Sequence, residues 1–385
     1  MRGTGSFVIG SLFMLTIGLV LLGIIMVLSS SQFVLTSGTD KNVYQYMGRQ
    51  LMWFSVGLAA MGFFAAIDYN RWERYARPAL LISTGLLGAV LIFGPDINGA
   101  KRWLIIFGFQ FQPSEVAKIA VIWYLASVWA ERDDRLEHFY PGVFYPMLLV
   151  GFVLLLIVME PDNGTTFFIG ITCAVLWYAA GGNIRHMVPA GVLFCSGVLF
   201  AIYSKPRLYE RILAYLNPED YKSSSYYQVY QATLAFAHGG FWGAGLGEGQ
   251  QQLGFTPYPH TDFIFSTMGE ELGFVKCSLV LLAFLGIILL GLFTAIRSSN
   301  PFGSLLAVGC TTAIGAQAAI NIAVVTGSIP NTGIALPFLS YGGSSLMVSM
   351  SMVGMIISVA RETFAYESSF PRSKRKRHLV VRTAA

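Results

Sequence analysis

Ten apolar runs, each close to the length that crosses a bilayer, constrain this chain more than any other feature. They fall near residues 7–28, 50–67, 78–94, 114–130, 143–159, 164–181, 187–204, 269–295, 304–326 and 339–360. A hydrocarbon core takes about 20 apolar residues per helix. Backbone polar groups in lipid must be satisfied within the element, so such runs fold as spanning helices. Charge content agrees. Asp, Glu, Lys and Arg make up 12% of the 385 residues, about half of the ~25% with which a soluble domain covers itself. Soluble multidomain and disordered architectures are thereby excluded. The expected fold is an all-α polytopic membrane protein, one transmembrane domain over 1–362 with a basic tail over 363–385. The first run is too long for a signal-peptide core and no A-x-A site follows, so it reads as a retained helix. Cys173, Cys195, Cys277 and Cys310 lie in or beside apolar runs without CxxC or Cys/His spacing. They indicate neither a disulfide framework nor a zinc site.

Lys and Arg set the orientation. With the N-terminus inside, one side carries Arg2, Arg71, Arg74, Arg77, Arg132, Arg135, Arg185, Arg297, Arg361, Arg372, Lys374, Arg375, Lys376, Arg377 and Arg382. The other carries Lys41, Arg49, Lys101, Arg102, Lys205, Arg207, Arg211 and Lys222. The excess predicts both termini on the cytoplasmic side. The cluster Arg372–Arg377 suits anionic lipid or a cytoplasmic partner, and equally a stop-transfer flank.

The outer side holds the unusual loops. One, over about 205–268, separates the seventh and eighth runs, and a loop of that length in a compact protein is usually functional or disordered. Within it Tyr226, Tyr230, Leu234 and Ala237 keep a helical spacing, and Gly239-Gly240 would end that helix; the helix is expected along the membrane surface. A second loop, Pro95–Pro113, carries an apolar patch at Trp103–Phe111 that is too short to span. It reads as a re-entrant or interfacial segment.

Charged and polar groups near hydrocarbon are costly and usually face an interior cavity. Five clusters stand out on the outer half. Asn98-Gly-Ala-Lys101-Arg102-Trp103 places two cations beside an interfacial Trp, as a phosphate site or as a membrane anchor. Gln112-Pro-Ser-Glu115-Val-Ala-Lys118 sets Glu115 and Lys118 at i,i+3 on one helix face, where they can pair; such a pair is more often structural than catalytic. Glu160-Pro-Asp162-Asn-Gly-Thr-Thr166 is a turn with two carboxylates, and by itself reads as a solvated hairpin. Thr256–Phe265 brings His260 and Asp262 to the start of a span. A carboxylate there serves the helix dipole at ~0.3–1 kcal/mol, yet Glu270 and Glu271 crowd the same end, which favours a functional role. Asn331–Ser345, with Gly342, Gly343, Ser344 and Ser345, can bare helix-terminal amides to an anion, or pack helices closely through small residues. Together they describe an outer cavity suited to a phosphate-bearing, membrane-embedded substrate.

The segments NGAKRW, QPSEVAK, EPDNGTT, YQVYQATLAFAHGGFWGAGLG, HTDFIF, GEELG and LPFLSYGGSS, in that order from Asn98 to Ser345, resemble the SEDS family (shape, elongation, division and sporulation), typified by FtsW and RodA. The resemblance implies a ten-span fold with both termini cytoplasmic, and a peptidoglycan glycosyltransferase that polymerises lipid II at the outer face of the bacterial cytoplasmic membrane. It implies a class B penicillin-binding protein as partner, among other division or elongation proteins. The family's essential outer aspartate falls on Asp262, its basic pair on Lys101 and Arg102, its charged helix pair on Glu115 and Lys118, and its Pro-Asp turn on Asp162. His260, Ser344 and Ser345 join these as expected substrate contacts. Two positions depart from the pattern: Tyr258 replaces a usual Glu, and Glu160 a usual Gln. GEELG after HTDFIF is closer to the FtsW branch, hence to division.

The implied reaction inverts the sugar carbon. A hydroxyl attacks C1 while lipid pyrophosphate leaves, and a base takes the proton as the bond forms. Asp262 is the expected base. Lys101 and Arg102 are expected to meet the charge on the leaving group. Mg²⁺ or Mn²⁺ also fits, since such ions take few carboxylates plus substrate phosphates. A helix N-terminus is expected to lower the pKa of Asp262, which weakens it as a base and improves it as a metal ligand, so both roles stand. Two other functions compete. A lipid II flippase must expose polar sites to both leaflets, whereas these motifs gather on one side. A non-catalytic scaffold would have no need of Asp262.

Overall fold

A computed structural model describes residues 2–31, 43–97, 99–106, 108–131, 136, 138–221, 224, 226–250 and 261–369. Twelve helices are named here in chain order: α1 Arg2–Ser31, α2 Val43–Ala66, α3 Ala76–Phe93, α4 Pro113–Ala130, α5 Tyr145–Met159, α6 Asn163–Ala179, α7 Ile184–Ser204, α8 Pro206–Leu216, α9 Tyr227–Gly239, α10 Ile264–Arg297, α11 Pro301–Val325 and α12 Gly343–Ser369. All except α8 and α9 coincide with the ten expected spans. Seven spans among the described residues are long and apolar enough to cross a membrane on their own. The chain is a multi-pass helical membrane protein.

Local sequence explains several helix ends. Pro113 and Pro301 open α4 and α11 at the first turn, where a missing N–H costs nothing. The Asp162 carboxylate caps α6 by accepting from the Thr165 amide at 3.1 Å. α9 stops at Gly239, followed by Gly240 at φ 53°. This helix does not merely lie on a surface: Val229, Gln231, Ala232 and Ala235 are buried, and its Phe236 ring meets Phe265 of α10.

Three expectations change. The patch at Trp103–Phe111, expected as a re-entrant or interfacial segment of an all-α chain, is built of strand. It forms an antiparallel hairpin, β1 Leu104–Ile106 with β2 Phe109–Phe111, turning at Gly108. Three-residue strands bury little but satisfy each other's backbone, which an isolated short helix does less well. α12 runs past residue 362 to Ser369, so the boundary drawn there falls inside a helix; Arg372–Arg377 lie outside the described residues.

The eighth span also starts earlier than hydropathy indicates, at Ile264, and breaks at Gly273 (φ 78°, ψ 176°). The break frees backbone groups that lipid cannot satisfy. Residues 240–245 of the long loop take them up. Ala244 and Gly245 amides donate to the Glu270 and Glu271 carbonyls (2.8 and 3.1 Å), while Phe274 and Val275 amides donate to Gly240 and Phe241 carbonyls (2.9 and 3.2 Å). A Cβ on Gly273 would lie 2.3 Å from the Gly243 nitrogen, so the splice needs glycine there.

α12 is the centre of the bundle, almost wholly buried, with α11 beside it; α7 is peripheral, with none of its apolar window buried. α11 touches α4, α6, α10 and α12. That central place puts α11 behind Asp262 and the Glu115–Lys118 pair.

Candidate active site

Asp262 sits in the turn that leads into α10. Phe263, Ile264 and Phe265 behind it are buried, so apolar packing anchors the turn while the carboxylate stays half-buried. Its Oδ1 accepts from the Thr261 hydroxyl at 2.8 Å. Its backbone carbonyl accepts from Asn321 Nδ2 of α11 at 2.7 Å. Gly333 faces the other carboxylate oxygen, since a Cβ there would lie 3.9 Å from Oδ2. Burial raises the pKa of Asp262, opposed by the Thr261 hydrogen bond, its own backbone amide and the positive charge of Arg211. The helix N-terminus was expected to lower it; burial raises it instead. A carboxylate raised in this way is a better base than one lowered by the helix end.

Glu115 and Lys118 do pair, Nζ to Oε2 at 2.7 Å, with both side chains nearly inaccessible. Lys118 also donates to Gln317 Oε1 of α11 at 3.0 Å and lies 5.1 Å from the centre of the Phe168 ring. Gln317 Nε2 donates in turn to the Ala335 carbonyl at 2.9 Å and to the Ser345 hydroxyl at 3.4 Å. Ser344 is buried beside Ser345. At Gly343 close packing decides between the two readings of the glycine run: a Cβ there would lie 2.1 Å from the Trp53 ring.

The turn at 160–162 is not solvated. Glu160 has no exposed surface and Asp162 very little. Asp162 Oδ2 accepts from Gln112 Nε2 (3.2 Å) and Ser114 Oγ (3.4 Å), while Oδ1 caps α6, so both oxygens hold the fold together. Arg102 Nε donates to the Glu160 carbonyl at 3.0 Å and Nη2 to the Pro161 carbonyl. Expected as a phosphate clamp, Arg102 here braces the turn. Lys101 is half-buried. Burial pushes the Glu160 carboxyl up to about 8, with Asp162 adding to the rise and Arg102 opposing it. His260 and Tyr258 lie outside the described residues.

One loop joins these groups. A Cβ on Gly164 would lie 2.8 Å from the Thr332 carbonyl, so glycine lets the 160–166 turn touch residues 331–335. Asn321 and Gln317 hold the carbonyls of Ile334 (2.7 Å) and Ala335. Arg211 of α8 donates to the Asn331 carbonyl at 3.2 Å. Sequence reasoning missed Arg211, Gln317 and Asn321 as site residues. The signal for the last two was present: polar residues at i,i+4 within an apolar span share one face.

Residues 10–365 match the FtsW/RodA/SpoVE family of cell cycle proteins. The chain belongs to this family. It is 37% identical over 349 residues to the probable peptidoglycan glycosyltransferase FtsW of Geobacter sulfurreducens, covering 90% of this chain and 93% of that protein. It is 39% identical over 354 residues to stage V sporulation protein E of Bacillus subtilis, covering 91% and 96%. Among solved structures it superposes on a chain of a peptidoglycan synthase complex that coordinates polymerization and crosslinking, with TM-score 0.75, 26% identity and 92% and 97% of the two chains covered. The rod shape determining protein RodA of Thermus thermophilus matches with TM-score 0.66 and 25% identity, over 92% and 96%.

Among the described residues no group of three His, Cys, Asp or Glu side chains is gathered as a metal site. Asp262 brings one carboxylate and the Thr261 hydroxyl, a donor set that does not by itself make a protein metal site.

Proposed function

We propose that this chain is a membrane-embedded peptidoglycan glycosyltransferase that polymerises lipid II, with Asp262 as the general base. The observation that carries the assignment is Asp262: a half-buried carboxylate of raised pKa, fixed through its backbone by Asn321 and under the charge of Arg211. Family membership supplies the reaction class. Asp262 accepts the proton of the acceptor hydroxyl as that oxygen bonds to the donor sugar carbon. The bond from that carbon to lipid pyrophosphate breaks in the same displacement. The leaving group gains charge, and Lys101 and Arg211 are the cations proposed to meet it, with Arg102 holding the 160–161 turn. A divalent cation would bind to Asp262 only with substrate phosphates completing its shell; no step above depends on one.

The site opens on the outer face of the cytoplasmic membrane, with both termini in the cytoplasm. The partner is a class B penicillin-binding protein, a reading supported by the match to a synthase complex that joins polymerization to crosslinking. Similarity to FtsW proteins supports a place in cell division. The test is purified protein supplied with lipid II, with and without the penicillin-binding protein, and glycan strands resolved on a gel. Strands from the wild type and none from Asp262→Ala support the assignment. Lipid II transfer across vesicles without strands would make it a flippase, and an unchanged Asp262→Ala strain a scaffold.

A further inference from the structure

Two amide side chains on α11 stand behind the site in a way the reaction itself does not require. Asn321 is buried, and its single Nδ2 group donates to two carbonyls, Asp262 and Ile334, both at 2.7 Å. Those carbonyls belong to segments 72 residues apart in sequence (334 − 262), and they are held side by side by one nitrogen. One turn earlier on the same face, Gln317 is buried and donates to the next carbonyl along, Ala335, while its oxygen accepts from Lys118. The two amides therefore form a ladder. Its rungs grip successive carbonyls of the 331–335 loop, and its ends reach Asp262 and the Glu115–Lys118 pair.

The orientation of each amide is forced. Turning Asn321 over would set its oxygen against two carbonyl oxygens, losing both bonds. Turning Gln317 over would set its NH₂ against the Lys118 ammonium. Each end of the ladder thus selects a donor or an acceptor, and α11 is the rigid element that spaces them. The distance at stake is that between the Asp262 carboxylate and Gly333, the loop residue it faces.

We infer that Asn321 is a positioning residue for Asp262, fixing its backbone against the 331–335 loop, and that Gln317 registers the same loop against Lys118. The inference rests on Asp262 being the base. A displacement of the base by about 1 Å costs on the order of 100-fold in rate, so the ladder should act on kcat and leave the KM for lipid II nearly unchanged.

The informative variant is Asn321→Asp, which keeps the shape. Ionised, it has no donor and faces two carbonyl oxygens; protonated, it regains one O–H donor. The purified full chain is assayed with lipid II for kcat and KM from about pH 5.5 to about pH 8.5, a range across which a buried carboxylate titrates, and its thermal unfolding is followed in parallel. The expected result is a folded protein with KM within twofold of wild type and kcat reduced on the order of 100-fold at the alkaline end. Relative to wild type it recovers at least about tenfold toward the acid end, where the introduced acid becomes a donor. Asn321→Ser keeps one hydroxyl donor and should fall between the two. Gln317→Glu keeps its acceptor toward Lys118 but loses the donor to Ala335, and should lose kcat less than Asn321→Asp.

A kcat ratio to wild type that does not change with pH, or a loss confined to KM, overturns the inference. Failure of both Asn321→Asp and Asn321→Ser to give folded protein makes Asn321 structural and overturns it too. Asp262→Asn is run alongside. If that variant is active, the base assignment itself has failed; if it is inactive while Asn321→Asp behaves as wild type, only the positioning inference has.

Discussion

Glu160 should weaken this protein at neutral pH, and replacing it with Gln should strengthen it. The carboxyl has no exposed surface and neither oxygen has a hydrogen-bond partner. Burial, then the neighbouring Asp162 charge, raise its pKa from 4.5 to about 8, against the pull of Arg102. The sign follows from proton uptake. Between those two pKa values the folded chain holds a proton that the unfolded chain releases. Stability from this group is therefore lost as pH rises from the unfolded value toward the folded one, and then levels off. At pH 7, 2.5 units above 4.5, the cost is about 3 kcal/mol as an upper bound. Gln removes that cost but adds one amide N–H in need of a partner, at about 1–2 kcal/mol. The net gain should be about 1–2 kcal/mol at pH 7, turning into a small net loss near pH 5, where the ionisation cost has mostly gone and the amide cost remains. Thermal unfolding of wild type and Glu160→Gln in detergent, across that range, measures it. If both proteins lose stability with the same pH slope, Glu160 is ionised in the fold and the reasoning is wrong.

Other outcomes follow from the same geometry. Asp262→Ala should abolish polymerisation without loss of folded protein, read by strand synthesis and thermal unfolding together. Because burial raises the Asp262 pKa, wild-type activity should fail on acidification earlier than for an ordinary aspartate, and Arg211→Gln should move that acid limb to still higher pH, visible in a kcat profile. Neutralising Glu115 or Lys118 singly should cost about 3–5 kcal/mol by leaving a buried charge unpaired. The swap Glu115→Lys with Lys118→Glu should restore part of that stability but not activity, because Gln317 Oε1 would then face a carboxylate. Arg102→Lys keeps the charge but loses one of the two carbonyl contacts to the 160–161 turn, so it should lower thermal stability more than it lowers affinity for lipid II.

What the sequence determined by itself is what local chemistry determines. Apolar runs of bilayer length can only be spanning helices, so ten spans could be placed, and Pro113, Pro301, Asp162 and Gly240 mark helix ends through backbone rules that act over a few residues. The i,i+3 spacing was enough to pair Glu115 with Lys118. Family motifs pointed to Asp262 and to the reaction. Tertiary structure decided what each polar group faces. Arg102 turned out to hold two backbone carbonyls, and Asp162 to accept from Gln112 and Ser114, because those partners come from segments tens of residues away. Glu160 became fully buried by packing that no local pattern encodes, and the pKa of Asp262 moved opposite to the helix-dipole expectation because desolvation depends on that packing. Gln317 and Asn321 looked like two polar residues in an apolar span. Only when α11 is set against the 331–335 loop do they become the amides that hold Asp262 and Lys118 to one frame.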